Sequence, residues 1–282
     1  MTINCRSKLI DLSTPKIMGI INVTPDSFYD GGKTFSEKEI LKQAEKMLLE
    51  GATFLDVGGY STRPGAEEIS ENEEIRRIVE AIESILKNFP ETLISVDTFR
   101  SGVARKAIEV GAAIVNDVSG GTLDAEMYKT VAKLKAPYIL MHMRGMPQTM
   151  TKLTDYKNVT VEVVKDLSEK IAQARAEGIN DIIADPGFGF AKTREQSFQL
   201  LNNLEIFQNL NVPILVGLSR KSFIYKTLET SSENALNGTT ALNSIALLKG
   251  TSILRVHDVK EAVECVKLWC GVRGMGTEDS KL

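Results

Sequence analysis

Apolar residues along this chain switch between two spacings in a regular order. After a Ser36–Glu39 pair come Ile40, Leu41, Ala44, Met47 and Leu48; after a Ser70–Glu73 pair come Ile75, Ile78, Val79, Ile82, Ile85 and Leu86. Steps of three and four put each set on one helical face, and a Ser followed three residues later by Glu has the form of a capping box. Between the helical stretches lie short apolar runs inside a recurring unit of helix, Gly, spacer, apolar run and polar end. The unit reads Gly51-Ala-Thr-Phe-Leu-Asp56, Gly111-Ala-Ala-Ile-Val-Asn116, Gly178-Ile-Asn-Asp-Ile-Ile-Ala-Asp185 and Gly250-Thr-Ser-Ile-Leu-Arg255. The Gly suits a left-handed helix cap, and the run suits a parallel strand buried on both faces.

Eight strands are predicted, near residues 17–22, 53–58, 93–97, 113–116, 137–142, 181–185, 213–218 and 252–256. Strands and helices alternating in that number imply an α/β fold of the (β/α)8 TIM-barrel type. A doubly wound open sheet is the alternative, weakened because no G-x-G-x-x-G follows the first strand. No linker, low-complexity tract or composition break interrupts the 282 residues, so residues 1–282 read as one domain, with 1–15 as an extension across the barrel floor.

Composition narrows the partners. A net charge of only −3 with no long basic run argues against nucleic acid and anionic membranes. Cys5, Cys265 and Cys270 are odd in number and lack C-x-x-C spacing, which favours thiols in a reducing compartment. No apolar stretch approaches the ~18 residues of a membrane helix, and the N-terminus has no apolar signal core. A soluble cytoplasmic protein is expected.

In a barrel the C-terminal strand ends face one shared site. In chain order they are Asn22, Asp56, Asp97, Asn116 with Asp117, His142, Asp185, Ser219 with Lys221, and Arg255 with His257. Each has a plain structural reading: Asp97 as a helix cap, Asn116-Asp117 and Asp185-Pro-Gly as turns, His142 as a satisfied core histidine. Caps and turns do not, however, require polarity at the same end of every strand. Two loops rich in Gly and Pro follow the first two strands, over Thr24–Gly32 and Gly58–Gly65. Such loops often cover a site. Cations after strands seven and eight, in Ser219-Arg-Lys-Ser-Phe223 and Arg255-Val-His-Asp258, lie where barrels often hold phosphate.

These segments together resemble the dihydropteroate synthase family. Met18-Gly-Ile-Ile-Asn-Val-Thr-Pro-Asp-Ser-Phe28 with Asp30-Gly-Gly, and Asp56-Val-Gly-Gly-Tyr-Ser-Thr-Arg-Pro-Gly65, are similar to its two signatures. Ser95-Val-Asp-Thr98, Asn116-Asp-Val-Ser119, Met141-His-Met143, Asp185-Pro-Gly-Phe-Gly-Phe190, Gly217-Leu-Ser-Arg-Lys-Ser222 and Arg255-Val-His-Asp258 follow in the family's order. One departure is Tyr60, where many members carry Glu; it bears on loop packing, because Ser61-Thr62-Arg63-Pro64 is intact.

The resemblance implies displacement of diphosphate from a pterin CH2 carbon by the amine of 4-aminobenzoate. It assigns the pterin to Asp97, Asn116, Met141, Asp185, Gly217 and Lys221, and the diphosphate to Asn22, Thr62, Arg255 and His257. It assigns 4-aminobenzoate to Thr62, Arg63, Pro64, Phe190 and Ser222, and the chemistry to Asn22, Asp97, Lys221 and Arg255. Mg²⁺ is the implied cofactor, on Asn22 and Asp30, and a homodimer the implied assembly. The physical chemistry agrees: an ionised carboxylate accepts two adjacent pterin N–H groups, and an amide oxygen is a hard ligand that suits Mg²⁺. Alternatives from other classes are a pterin-binding methyltransferase domain, a class I aldolase using Lys221 as Schiff base, and a non-catalytic pterin-binding protein.

Overall fold

The computed structural model describes residues 1–23, 37–60, 68–146 and 149–275. Two short strands, β1 (Thr2–Cys5) and β2 (Lys8–Asp11), form an antiparallel hairpin. Eight parallel strands follow: β3 (Lys16–Asn22), β4 (Phe54–Gly58), β5 (Leu93–Asp97), β6 (Ile114–Asp117), β7 (Tyr138–Met141), β8 (Ile182–Asp185), β9 (Leu215–Val216) and β10 (Ile253–Val256). Their order is β8-β7-β6-β5-β4-β3-β10-β9, and a parallel bridge between Ala184 and Ile214 joins the two ends into a barrel. Around it run α1 (Glu37–Leu49), α2 (Glu71–Asn88), α3 (Ser101–Glu109), α4 (Met127–Leu134), α5 (Val159–Ala176), α6 (Arg194–Asn202), α7 (Ser222–Thr227), α8 (Leu236–Leu248) and α9 (Val259–Val272).

Each predicted strand position holds a strand. The seventh, expected over 213–218, keeps only two ladder residues. Pro213 has no N–H to give and serves through its carbonyl, which accepts Ala184 N at 2.9 Å. The recurring Gly also behaves as its position demands: Gly51 and Gly178 have φ of +102° and +100°, where a Cβ would be strained. The second capping box is half formed. Ser70 Oγ accepts Glu73 N at 3.2 Å, but the Glu73 carboxylate turns to Arg76 and Arg77 instead of back to the cap. Ser36 of the first pair lies outside the described residues.

Alternation along the strands creates two cores. Ile17, Ile21, Leu55, Val57, Ile94, Val96 and Val115 face the helices and meet the stripes of α1 and α2, including Ile40, Ala44, Ile78, Ile82 and Ile85. Met18, Phe54, Leu93, Ile114, Ile139, Ile183, Leu215 and Ile253 form a separate apolar layer at the opposite strand parity, inside the barrel. Ile3, Cys5 and Leu12 of the hairpin region pack on that layer and close the barrel floor. Asn4 N donates to Asp181 Oδ2 and an Arg6 guanidinium N–H to Gly111 O, both at 3.1 Å, fixing the hairpin to the floor side. With the lower barrel plugged, only its upper end can be polar.

Candidate active site at the barrel mouth

On β4, β5, β6, β8 and β10 the parity that puts an apolar residue in the floor layer puts a polar one higher on the same inner face. Phe54 is followed by Asp56, Leu93 by Ser95 and Asp97, Ile114 by Asn116, Ile183 by Asp185, Ile253 by Arg255. Asp56, on β4, has no solvent exposure. Its Oδ2 accepts Arg255 Nε at 2.6 Å and Asn116 Nδ2 at 2.9 Å. Another Arg255 nitrogen donates to Asp97 Oδ2 at 2.7 Å. One guanidinium from β10 is thus gripped by carboxylates from β4 and β5, a fork geometry that Lys could not supply. Asp56 Oδ1 and Ser95 Oγ, on paired residues, are buried without a protein partner. Buried atoms of that kind call for a water or a ligand.

The other half of the mouth belongs to β8, β9 and the segments after them. Asp185 Oδ1 accepts Gly187 N at 2.7 Å. Lys221 Nζ donates to Phe188 O and sits 4.7 Å from the Phe190 ring centroid. A methyl group added at Gly217 would lie 3.9 Å from both Lys221 Nζ and Arg255 Cβ, so this glycine lines the space between the two cations. Met141 is buried at the end of β7 beside Val118, Met143, Met150 and Ala191, with Phe190 packed on that group.

The electrostatics follow from burial and proximity. Burial pushes the Asp97 carboxyl up to about 7, against the pull of Arg255 and with the help of the Asp56 charge. Burial also raises Asp185, opposed by Lys221. Burial lowers Lys221 to about 8, while Asp185 and Asp97 resist. Two raised carboxyls beside a lowered ammonium make a site whose charge state is easily set by a ligand.

At the rim, Asn22 ends β3; a Cβ added at neighbouring Gly58 would stand 3.5 Å from Asp97 Cβ and 3.8 Å from Asn22 Oδ1. His257 is half-buried, with Nδ1 2.9 Å from Ser219 Oγ, and its N–H donates to the same oxygen. Ser222 is exposed at the start of α7, and Phe190 is half-buried. Asp30, Thr62, Arg63 and Pro64 lie outside the described residues.

Some strand-end residues serve the scaffold instead. Asp117 points away from the axis and accepts Tyr138 Oη, Ser119 N and Gly121 N at 2.6, 2.7 and 2.8 Å, so the turn reading is the right one for it. Arg220 is used up in a two-pronged pair with Asp258, at 2.8 Å on each prong. His142 is buried, with its pKa brought down to about 2 by burial and by Lys192. Tyr60, the departure from the family pattern, packs edge-on to Phe99 at 5.3 Å, and Arg100 lies 5.3 Å from both rings. Arg100 also donates to Ile69 O at 2.9 Å and to buried Glu74 at 2.8 Å.

Sequence reasoning left Asp56 without a role. Its parity marked it as inward, but its partner is 199 residues away, and only the closed barrel brings the two together. Among the described residues no three His, Cys, Asp or Glu side chains cluster as a metal cage. No described helix is long and apolar enough to cross a membrane.

Comparison with known proteins agrees with this geometry. Residues 18–257 match the family model described as pterin binding enzyme. The dihydropteroate synthase of Haemophilus influenzae is 42% identical over 271 residues, covering 95% of this chain and 98% of that protein. That of Escherichia coli K12 is 44% identical over 265 residues, 92% of each chain. The Yersinia pestis dihydropteroate synthase, solved with a sulfonamide drug complex, superposes with a TM-score of 0.92 at 38% identity over 97% of this chain and all of its own. With the family model spanning the barrel and these relatives spanning nearly the whole length, the chain belongs to the dihydropteroate synthase family of pterin binding enzymes.

Proposed function

We infer that this chain condenses (7,8-dihydropterin-6-yl)methyl diphosphate with 4-aminobenzoate, giving 7,8-dihydropteroate and diphosphate in folate biosynthesis. The observation that carries this is the inward set Asp97, Asn116, Asp185, Lys221 and Arg255 at one barrel mouth, in a chain of this family. Family members from Xanthomonas albilineans were solved with 4-aminobenzoic acid and with 7,8-dihydropteroate, at TM-scores of 0.90 and 0.88 and identities of 37% and 35%.

Physical chemistry supports a role for each residue. Asp185, ionised beside Lys221, accepts adjacent pterin N–H groups, while Asn116 can both donate and accept. Lys221 donates to the ring carbonyl or N5, and Met141 and Gly217 bound the ring's space. Arg255, held by Asp56 and Asp97, serves the diphosphate end together with His257 and Asn22 at the rim, and Thr62 is proposed to join them. The 4-aminobenzoate ring rests on Phe190 and Pro64, its carboxylate reached by Arg63, Thr62 and Ser222. The neutral amine attacks the CH2 carbon. A C–N bond forms, the C–O bond to diphosphate breaks with its electron pair going to the leaving oxygen, and the amine proton is lost to diphosphate or solvent. No base strong enough to ionise an arylamine is required. Magnesium, when bound, would neutralise charge on the leaving group; Asn22 offers a hard amide oxygen and Asp30 is proposed to join it.

The three buried thiols Cys5, Cys265 and Cys270 support a cytoplasmic protein. Exposed Ile245 and Leu248 on α8, and Leu268 and Val272 on α9, support a homodimer through these helices. The testing experiment is quantitation of released diphosphate with both substrates and Mg²⁺. The reading requires one diphosphate per dihydropteroate and dependence on the amine; release independent of 4-aminobenzoate overturns it.

A further inference from the structure

Lys192, which follows the Asp185–Phe190 segment, takes no part in the scheme above. Yet it is almost fully buried, 8% exposed. Its Nζ makes three contacts of 2.9 Å: it donates to Gly187 O and Phe190 O and meets His142 Nδ1. An ammonium has three donors and no acceptor, so three surrounding acceptors match it fully. The His142 ring, held neutral, supplies a ring nitrogen that can accept as the Nε2–H tautomer. Burial lowers the Lys192 pKa well below the ordinary lysine value, with Asp185 opposing, and the uncharged amine fills the same three contacts by donating to the two carbonyls and accepting from a His142 Nδ1–H.

The contacts sit at informative places. Gly187 N donates to Asp185 Oδ1 at 2.7 Å, so where Gly187 lies decides how the Asp185 carboxylate is turned. Gly187 is packed so tightly on the end of β7 that an added Cβ would come within 2.1 Å of His142 O. From the barrel side Lys221 Nζ takes the intervening carbonyl, Phe188 O. Left-handed backbone at Gly187, Gly189 and Ala191, with φ of 69°, 76° and 48°, winds the segment so that Gly187 O and Phe190 O accept from Lys192 while Phe188 O accepts from Lys221. The segment is thereby held by two lysine amino groups, with Phe190 presented at its end.

We propose that Lys192 is a positioning residue for the reaction: by fixing the Gly187 and Phe190 carbonyls to the end of β7 it sets the orientation of Asp185 toward the pterin and the place of Phe190 against 4-aminobenzoate. This rests on the condensation proposed above, and the test keeps the two apart.

The experiment compares wild type, Lys192→Met and Lys192→Gln in thermal unfolding, in KM for each substrate and kcat, and in calorimetric affinity for a pterin without diphosphate. Met keeps the stem and removes every donor. Gln keeps two N–H donors on a stem one bond shorter. Since a displacement of about 1 Å can cost roughly 100-fold, Lys192→Met is expected to lose about that much in kcat/KM. The loss should fall on KM for 4-aminobenzoate and on pterin affinity, and Lys192→Gln should recover part of it. A folded Lys192→Met with a lowered Tm but unchanged KM values and pterin affinity overturns the proposal and makes Lys192 structural only. Should Lys192→Met not fold, Lys192→Gln decides by the same criteria. Wild type without turnover overturns the condensation instead, and the pterin titrations still judge Lys192.

Discussion

Gly217 shows how one residue can matter for a site without mattering for the fold. It is not among the glycines with positive φ, and a methyl group there would meet its neighbours only at 3.9 Å. Gly217→Ala is therefore expected to leave the unfolding midpoint in denaturant nearly unchanged. It should weaken pterin binding by about 1–3 kcal/mol, the usual cost of overfilling a packed space; titration beside a melt checks both. Asp97 gives a second prediction. Its folded pKa, about 7, lies above the ordinary aspartate value of 3.8, so its contribution to stability is full below 3.8 and is lost as pH rises to about 7. Ligand binding runs the other way. A pterin offering N–H donors needs the carboxylate, so affinity should climb as pH passes about 7. It should decline once Lys221 loses its proton near 8. Because the Asp56 charge pushes Asp97 up, Asp56→Asn should move the acidic limb of the affinity profile to lower pH. A limb that stays in place would assign it to another group. The inward strand ends were readable one by one from their parity. Asp56 as the holder of Arg255 was not, since nothing local in Asp56-Val-Gly-Gly announces a partner six strands of sequence later.

Among the elements, the segment between β4 and α2 is tied at both described flanks to one side chain after β5. Arg100 covers the Tyr60 ring, bonds Ile69 O and neutralises Glu74, which is wholly buried and also accepts Thr98 Oγ at 2.7 Å. The sequence showed Tyr60 only as a departure from pattern; its edge-on contact with Phe99 gives the reason an aromatic is accommodated there. Burial already raises the Glu74 pKa, with Thr98 and Arg100 opposing. Arg100→Ala leaves that carboxylate half-satisfied, which costs about 3 kcal/mol for a broken buried pair. The loss should be larger near neutral pH than in mild acid, where Glu74 protonates and escapes the penalty. Denaturant melts at the two pH values decide it, and an equal loss at both would remove charge from the explanation. The hairpin β1–β2 is another element whose form was not legible. Its four-residue strands are too short to declare a period, and the expected extension across the floor carried no register. Deleting it uncovers Met18, Phe54 and Ile253 and removes Ile3, Cys5 and Leu12. At about 1.5–3 kcal/mol per large buried side chain, destabilisation on the order of 5 kcal/mol is expected.

For the whole molecule, the barrel was legible because its signal is repeated: Gly caps, unbroken apolar runs and helical stripes recur in order, and errors of a residue or two do not change the count. The division of the barrel lumen was less legible. An apolar layer below and a polar layer above require knowing which residue of each strand faces the axis, and the parallel ladders supply that register. Once it is known, the chemistry concentrates at one end, where Asp97, Asn116, Asp185, Lys221 and Arg255 converge from five strands and the segments after them. Recognition of the pterin is the role proposed for this inward set. Asp185→Asn tests it most directly, because the change keeps the shape of the side chain, replaces one acceptor by a donor and removes the charge opposite Lys221. The measurement is a calorimetric titration of a pterin lacking diphosphate onto the wild-type protein and the variant. A loss of roughly 2–5 kcal/mol is expected for the variant, as for a buried charged contact turned against its donor. Equal affinity in the two proteins would take Asp185 out of the pterin site and contradict the account.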